Sequence, residues 1–201
     1  MKNRKFGTRE MVASAMLCAI LLVMSFTPLG YLTIGPLAIS FNMIPVAIGA
    51  IALGPVGGMI LGAMFGITSF LQCLGIGGTS PMGVILFEIN PIFAFLQRFI
   101  PRVLAGFLSA MVFRLTKKLI NSDVACFVTG FAAALFNTVL FMTTLILFFG
   151  KTEYVQTLIA GRNVVIFVCA FVGINAVIEA FSASLIVGAV GKILSKSIFR
   201  R

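Results

Sequence analysis

Polar and charged residues come in short bursts along this chain, and between them it is apolar over stretches far too long for one face of a soluble helix. Six apolar blocks stand out: Met11 to Phe26, Phe41 to Leu53, Val56 to Leu74, Ile92 to Leu115, Val124 to Gly150 and Asn163 to Gly191. Between Glu10 and Glu88 the chain carries no charged side chain at all. Only 10% of its 201 residues are charged, against roughly 25% in soluble domains, which need charge to cover a wet surface. A bilayer is the solvent that suits such blocks, and in it each block must satisfy its own backbone as a helix. The pattern predicts an all-α, polytopic membrane protein, one domain over 1–201, with six transmembrane helices.

The connections are equally readable. Thr27-Pro28-Leu29-Gly30 is a cluster of helix breakers, and Tyr31 to Ser40 mixes Gly and Pro with strand-forming residues. The basic start and first apolar block resemble a secretory signal, but no A-x-A site follows, so the block reads as a retained helix. The Phe41–Leu53 block is about 20 Å long at 1.5 Å per residue, short of the ~30 Å hydrocarbon core. A turn is predicted at Gly54-Pro55, a long outer connection over Gly75–Pro91, a basic loop over Lys117–Asp123 and a polar connection over Lys151–Arg162.

Charge adds direction. The chain has 15 Lys and Arg against 5 Asp and Glu, a net charge of +10. In a soluble protein this balance points to nucleic acid. Here the cations bound apolar blocks, so no nucleic-acid partner is expected. Eleven of them (Lys2, Arg4, Lys5, Arg9, Arg114, Lys117, Lys118, Lys192, Lys196, Arg200 and Arg201) fall on one side of a six-helix topology. Four (Arg98, Arg102, Lys151 and Arg162) fall on the other. The positive-inside rule then puts both termini in the cytoplasm.

Chemical equipment is sparse. There is no His, so His-based metal sites and Ser–His or Cys–His catalysis lack their base. Asp123 is the only Asp, no phosphate-binding G-x-x-x-x-G-K-[ST] loop occurs, and Cys18, Cys73, Cys126 and Cys169 stand singly in apolar runs. No catalytic residue and no metal ligand is assigned, and an enzyme is not expected. Two small-residue strips remain. Ala15 and Ala19 are four apart on the first helix, and Gly54, Gly58, Gly62 and Gly66 repeat at the same spacing on the third. Such rows let another helix backbone approach closely. The glycine row reads chiefly as packing within the chain.

Six helices in about 200 residues, cytoplasmic termini and the Ala15/Ala19 pair together resemble an S component, the substrate-binding subunit of an energy-coupling factor (ECF) vitamin transporter. The likeness runs from roughly Thr8 to Ile193, through ISFNMIPVAIGAIALGPVGGMILGAMFGITSF, NPIFAFLQRFIPRVLAG, ALFNTVL and GINAVIEA. The stretch from Asn90-Pro91 to Pro101-Arg102 and on to Gly106 most resembles the pantothenate-type branch. The resemblance implies a multi-pass protein of the bacterial cytoplasmic membrane, with a vitamin held near the outer face by helices four to six and covered by the first and third connections. It also implies that Ala15 and Ala19 dock on a transmembrane coupling subunit driven by two cytoplasmic ATPases. ATP would then be used by those separate subunits, and this chain would carry no cofactor.

Polar groups inside the apolar blocks are the candidate ligand residues, because hydrocarbon penalises them unless they find partners. Arg98 and Arg102 share one helix face, and a guanidinium holds a carboxylate, such as that of pantothenate, through two parallel hydrogen bonds. Snorkelling to headgroups and pairing with Glu88 are the competing readings. Asn137 and Asn175 offer donors and acceptors to a polar vitamin, or equally to a neighbouring helix. Asn90 joins the candidates through the resemblance. Tyr31 is placed either over the pocket or as an interfacial anchor. Glu179, four residues beyond Asn175, is expected deeper toward the cytoplasm, away from the ligand, in a structural or coupling-interface role with its carboxyl protonated or paired. It also carries the alternative function, an autonomous proton-coupled carrier or channel with Glu179 as its essential carboxylate.

Overall fold

A computed structural model describes residues 7–27, 30–34, 37–77, 80–159 and 164–198. Lys2, Arg4, Lys5, Arg162, Arg200 and Arg201, counted above for orientation, lie outside these residues, as do Pro28, Leu29 and Asn163 and the side chains of Cys169 and Lys196. The described elements are α1 (Thr8–Ser25), β1 (Tyr31–Ile34), β2 (Leu37–Ser40), α2 (Met43–Leu71), α3 (Pro81–Ile89), α4 (Pro91–Leu119), α5 (Ser122–Phe149), α6 (Glu153–Ile159) and α7 (Val164–Ile198). Among the described residues five helices are long and apolar enough to cross a membrane: Thr8–Ser25, Met43–Leu74, Pro91–Leu119, Ser122–Phe149 and Asn175–Ile193.

The second of these is two arms. Gly54 sits at φ 73° and ψ −161°, a conformation outside the helix that a Cβ would strain. In an unbroken helix Gly49 and Leu61 would be about 18 Å apart. Instead, the Leu61 side chain fills the space a Cβ on Gly49 would need. The helix therefore folds back at Gly54-Pro55, where the sequence predicts a turn, and the two apolar blocks predicted on either side pack on each other.

The glycine row then seats α4. Gly58 and Gly106 each lie against the other's carbonyl, Gly62 lies against the carbonyl of Arg102, and a Cβ on Gly66 would stand 2.9 Å from the Phe99 Cα. Small residues bring the two backbones together, and the row is consumed by packing inside the chain. Across the bundle, α5 and α7 approach in the same way, with Gly130 against the Ala183 carbonyl. Leu21, Met43, Val46, Leu61, Phe65, Ala133 and Val187 form the main core. A smaller core of Met82, Leu86, Ala94, Met142, Leu145, Phe149 and Val155 joins α3, α4, α5 and α6.

Several predicted boundaries move. The connection after Gly75 is not irregular throughout, because Ser80 accepts from the Gly83 N–H and Pro81 takes the first helical position, which starts α3. The polar connection after Gly150 likewise contains α6. Helix α4 continues through Lys117 and Lys118, shrinking the predicted basic loop. Asp123 lies in the first turn of α5, not in a loop, and pairs with Lys192 at 3.5 Å. Tyr31–Ser40 is an antiparallel hairpin with Tyr31 opposite Ser40, as its strand-forming residues suggest.

Candidate functional site

The fourth helix begins at a well-made cap. Asn90 Oδ1 accepts from the backbone N–H groups of Ile92 and Phe93, at 3.0 and 3.1 Å, and Pro91 occupies the position whose N–H needs no partner. Asn90 was a candidate ligand residue; its carbonyl oxygen is committed to this cap.

Two turns further on, Arg98 and Arg102 point into the bundle, where they are 7% and 5% exposed. Arg98 donates from Nη1 to Ser69 Oγ (3.4 Å) and from Nη2 to Ser80 Oγ (3.1 Å). Arg102 donates from Nη1 to the Gln97 carbonyl (3.3 Å) and from Nη2 to the same Ser69 Oγ (3.5 Å). The Phe141 ring on α5 lies 5.3 Å from the Arg98 Cζ and 4.7 Å from that of Arg102, and Phe65 lies 5.3 Å from the latter. Aromatic faces hold guanidinium groups by cation–π attraction, more strongly when water is excluded. Burial rules out the snorkelling reading for both arginines. Pairing with Glu88 also fails: Glu88 is exposed on α3, and among the described residues no carboxylate oxygen comes within ion-pair distance of either guanidinium.

Around these cations lies a ring of unfinished hydrogen bonding. The Tyr31 hydroxyl, Ser40 Oγ, both side-chain polar atoms of Asn42, Asn137 Oδ1, Glu179 Oε1 and the Nε atoms of both arginines are buried without a partner among the described residues. Tyr31 lies within electrostatic reach of Arg102 and Arg98 and close to Asn42 and Ser40. Burial raises its phenol above the usual range, so it stands there as a neutral donor. Asn137 presents its amide to the Glu179 carboxyl, and Glu179 in turn feels the Arg102 charge. Asn42 and Gln97 are fully buried, and the Gln97 amide is unpaired too. Folded proteins pair about nine in ten of their buried polar groups. A cluster of unpaired ones around two cations is a place built to be completed by a polar, anionic ligand.

The structure thus brings Tyr31, Arg98, Arg102 and Asn137 together from the hairpin, α4 and α5. Asn175 is half-buried on α7, one turn before Glu179. Two expectations are corrected. Tyr31 is no interfacial anchor, since its hydroxyl is buried beside the arginines. Nor does Glu179 stand away from the ligand candidates: it is 7% exposed and lies beside Asn137, within electrostatic reach of Arg102. Sequence reasoning missed Asn42, Ser69, Ser80 and Phe141. Asn42 and Ser69 carried a faint signal as polar residues within apolar runs, whereas nothing marked Phe141 among 21 phenylalanines. Ala15 and Ala19 lie elsewhere, exposed on α1.

Comparison with known proteins agrees with this architecture. Residues 9–191 match the family model described as "ECF transporter, substrate-specific component". The chain is 30% identical over 205 residues to the pantothenate transporter PanT of Leuconostoc mesenteroides, covering 96% of this chain and 95% of the relative. It is 26% identical to the pantothenic acid transporter PanT of Lactococcus lactis, covering 96% and 97% respectively.

Proposed function

The chain belongs to the family of ECF transporter substrate-specific components, and on that premise we propose that it captures pantothenate for an ATP-driven importer. The family makes it a multi-pass transport subunit and not an enzyme. One observation carries the substrate reading: two buried, aromatic-backed arginines lie within a ring of unpaired hydroxyl and amide groups. A guanidinium suits a carboxylate, and the surrounding amides and phenol suit the hydroxyl and amide groups of the vitamin. Two relatives named for pantothenate transport support the same reading.

The same reading extends to the arrangement in the membrane. Counting the two arms of α2 separately, six apolar helical arms lie in the bilayer, the first arm of α2 being too short to cross it alone; both termini face the cytoplasm, and the membrane is the bacterial plasma membrane. The hairpin and the Ser80–α3 segment, which meet the arginines, close the site on the outer side. A transmembrane coupling subunit and two cytoplasmic ATPases supply the energy, and ATP is hydrolysed there, not in this chain.

The autonomous carrier or channel using Glu179 is not favoured by this family membership. Uptake into proteoliposomes separates the two. The purified chain should bind pantothenate by calorimetry yet accumulate none until the coupling subunit, ATPases and ATP are added. Accumulation by this chain alone under a proton gradient, lost in Glu179→Gln, would overturn the importer reading.

A further inference from the structure

The first turn of α3 and the side chain of Arg98 meet at the helix cap. Arg98 Nη2 donates to Ser80 Oγ at 3.1 Å, and Ser80 is the N-cap of α3, accepting from the Gly83 N–H at 3.3 Å. Gly83 makes the approach possible, because a Cβ there would stand 2.9 Å from that same Nη2 and 2.7 Å from Cys73 Sγ. A helix N-terminus carries about half a positive charge and favours anions, not cations. The fold nevertheless holds a guanidinium against one, on a side chain only 7% exposed. Among the described residues no carboxylate lies within ion-pair distance of Arg98. Two positive ends meet here in a dry site without the anion that would reconcile them.

The hydrogen bonds add a second, independent sign. Ser80 Oγ accepts from Gly83 and Arg98, and Ser69 Oγ accepts from Arg98 and Arg102. A hydroxyl has two acceptor sites and one proton, so each serine is left with an O–H to give. Arg98 Nε is a further buried donor without a partner among the described residues. Arg102 is placed differently. Its Nη1 donates to the Gln97 carbonyl at 3.3 Å, and its guanidinium lies against two rings, Phe65 and Phe141.

We propose that the N-terminal turn of α3 is half of the carboxylate site, and that the ligand's acid group docks between it and Arg98. The inference rests on the reading of this cluster as the vitamin site and fixes where in it the acid lies. An ionised carboxylate only accepts, at about four lone-pair sites. Arg98, the two serine hydroxyls and the positive end of α3 are the donors that match it. A neutral analogue leaves the two positive ends facing each other.

Placing a charge in the helix cap tests this on the detergent-solubilised full chain. Thermal unfolding is followed without ligand, and calorimetry uses pantothenate and its carboxyl-amidated analogue as probes. Ser80→Asp puts a carboxylate of the protein's own where the ligand's would lie, and aspartate still caps α3. Without ligand it should raise Tm by a few degrees, and adding Arg98→Gln should cancel that gain. Ser80→Asn caps the helix without charge and should give no such gain. Ser80→Asp should also weaken pantothenate binding at least about tenfold, since like charges set side by side are strongly disfavoured. Its preference for acid over amide should vanish, whereas Ser80→Asn should still prefer the acid. A Ser80→Asp variant that prefers the acid as the wild type does overturns the placement. So does one whose Tm stays at or below that of Ser80→Asn, or whose gain survives Arg98→Gln undiminished. A wild type that binds neither probe overturns the pantothenate reading, and the ligand-free unfolding series then still decides whether Arg98 and α3 form an anion site.

Discussion

Gly62 on α2 lies directly against the backbone carbonyl of Arg102, with no room between them for a Cβ. The residue that carries a buried charge is thus seated by a residue that carries nothing. Gly62→Ala should push α4 away from α2 and move both arginines off Ser69. Overpacking of this kind costs about 1–3 kcal/mol, or roughly 2–4 °C in Tm for each kcal/mol in a chain of this size. Gly173→Ala is the contrast, since a Cβ there meets nothing within 4 Å among the described residues, and it should be neutral or slightly stabilising. Equal Tm values for the two variants would mean that the α2–α4 contact does not set the site.

Ser69 is the shared acceptor of Arg98 and Arg102. Hydrogen bonds to charged groups contribute about 1.5–3 kcal/mol each, and these two are long, so the lower end applies. Ser69→Ala should weaken pantothenate binding by about tenfold, measured by calorimetry. The loss should fall on the acid far more than on its amide, because the serine acts by aiming the guanidinium groups. Equal losses for acid and amide would reduce Ser69 to a packing residue.

Much of this was legible in the sequence, and the limits are physical. Apolar blocks bounded by cations announce helices, and Gly54-Pro55 announces a reversal, because those signals are local. The glycine row announced close packing but not its partner, which α4 turns out to be. Helix α3 escaped because its residues sit between two breaker clusters, and only the Ser80–Pro81 start betrays it. Arg98 and Arg102 were visible as charges in an apolar block. Their burial depends on which way α4 faces, a tertiary property. Glu179 escaped for a related reason: its depth along α7 does not reveal that α7 brings it beside Asn137. Phe141 was invisible, since a phenylalanine holding two guanidinium groups looks the same in sequence as one facing lipid.

Phe141 supplies its ring to both cations, at 5.3 and 4.7 Å from their Cζ atoms. A cation–π contact gives about 0.5–1 kcal/mol when exposed and about 2 kcal/mol or more when desolvated. Phe141→Leu keeps apolar bulk and removes the ring, so affinity for pantothenate should fall by roughly three- to thirty-fold, while Tm falls by only a few degrees. Phe141→Trp, with a stronger aromatic face, should bind at least as well as Phe141→Leu. Wild-type affinity in Phe141→Leu would show that the hydroxyl contacts alone position the arginines.

Helix α1 divides cleanly into two faces. Leu21 and Ser25 are buried, Leu17 and Cys18 pack on the core, and Ser25 Oγ donates to Thr68 at 3.1 Å. Met11, Val12, Met16, Ile20 and Val23 are all exposed, and Ala15 and Ala19 are exposed low points among them. A larger side chain at either alanine therefore meets no neighbour within the subunit. Ala15→Leu and Ala19→Leu should leave Tm and pantothenate affinity close to wild type, as surface substitutions commonly stay within about 0.5 kcal/mol. If this strip receives a helix of the coupling subunit, the same substitutions hold the two backbones apart, because small residues set the distance of approach. Co-purification with the coupling module should drop, and ATP-driven uptake in proteoliposomes should fall by at least about tenfold. Met11→Leu, on the same face but equal in bulk, should transport normally. Normal assembly and uptake in both alanine variants would return this strip to lipid and require the docking surface to be sought on another helix.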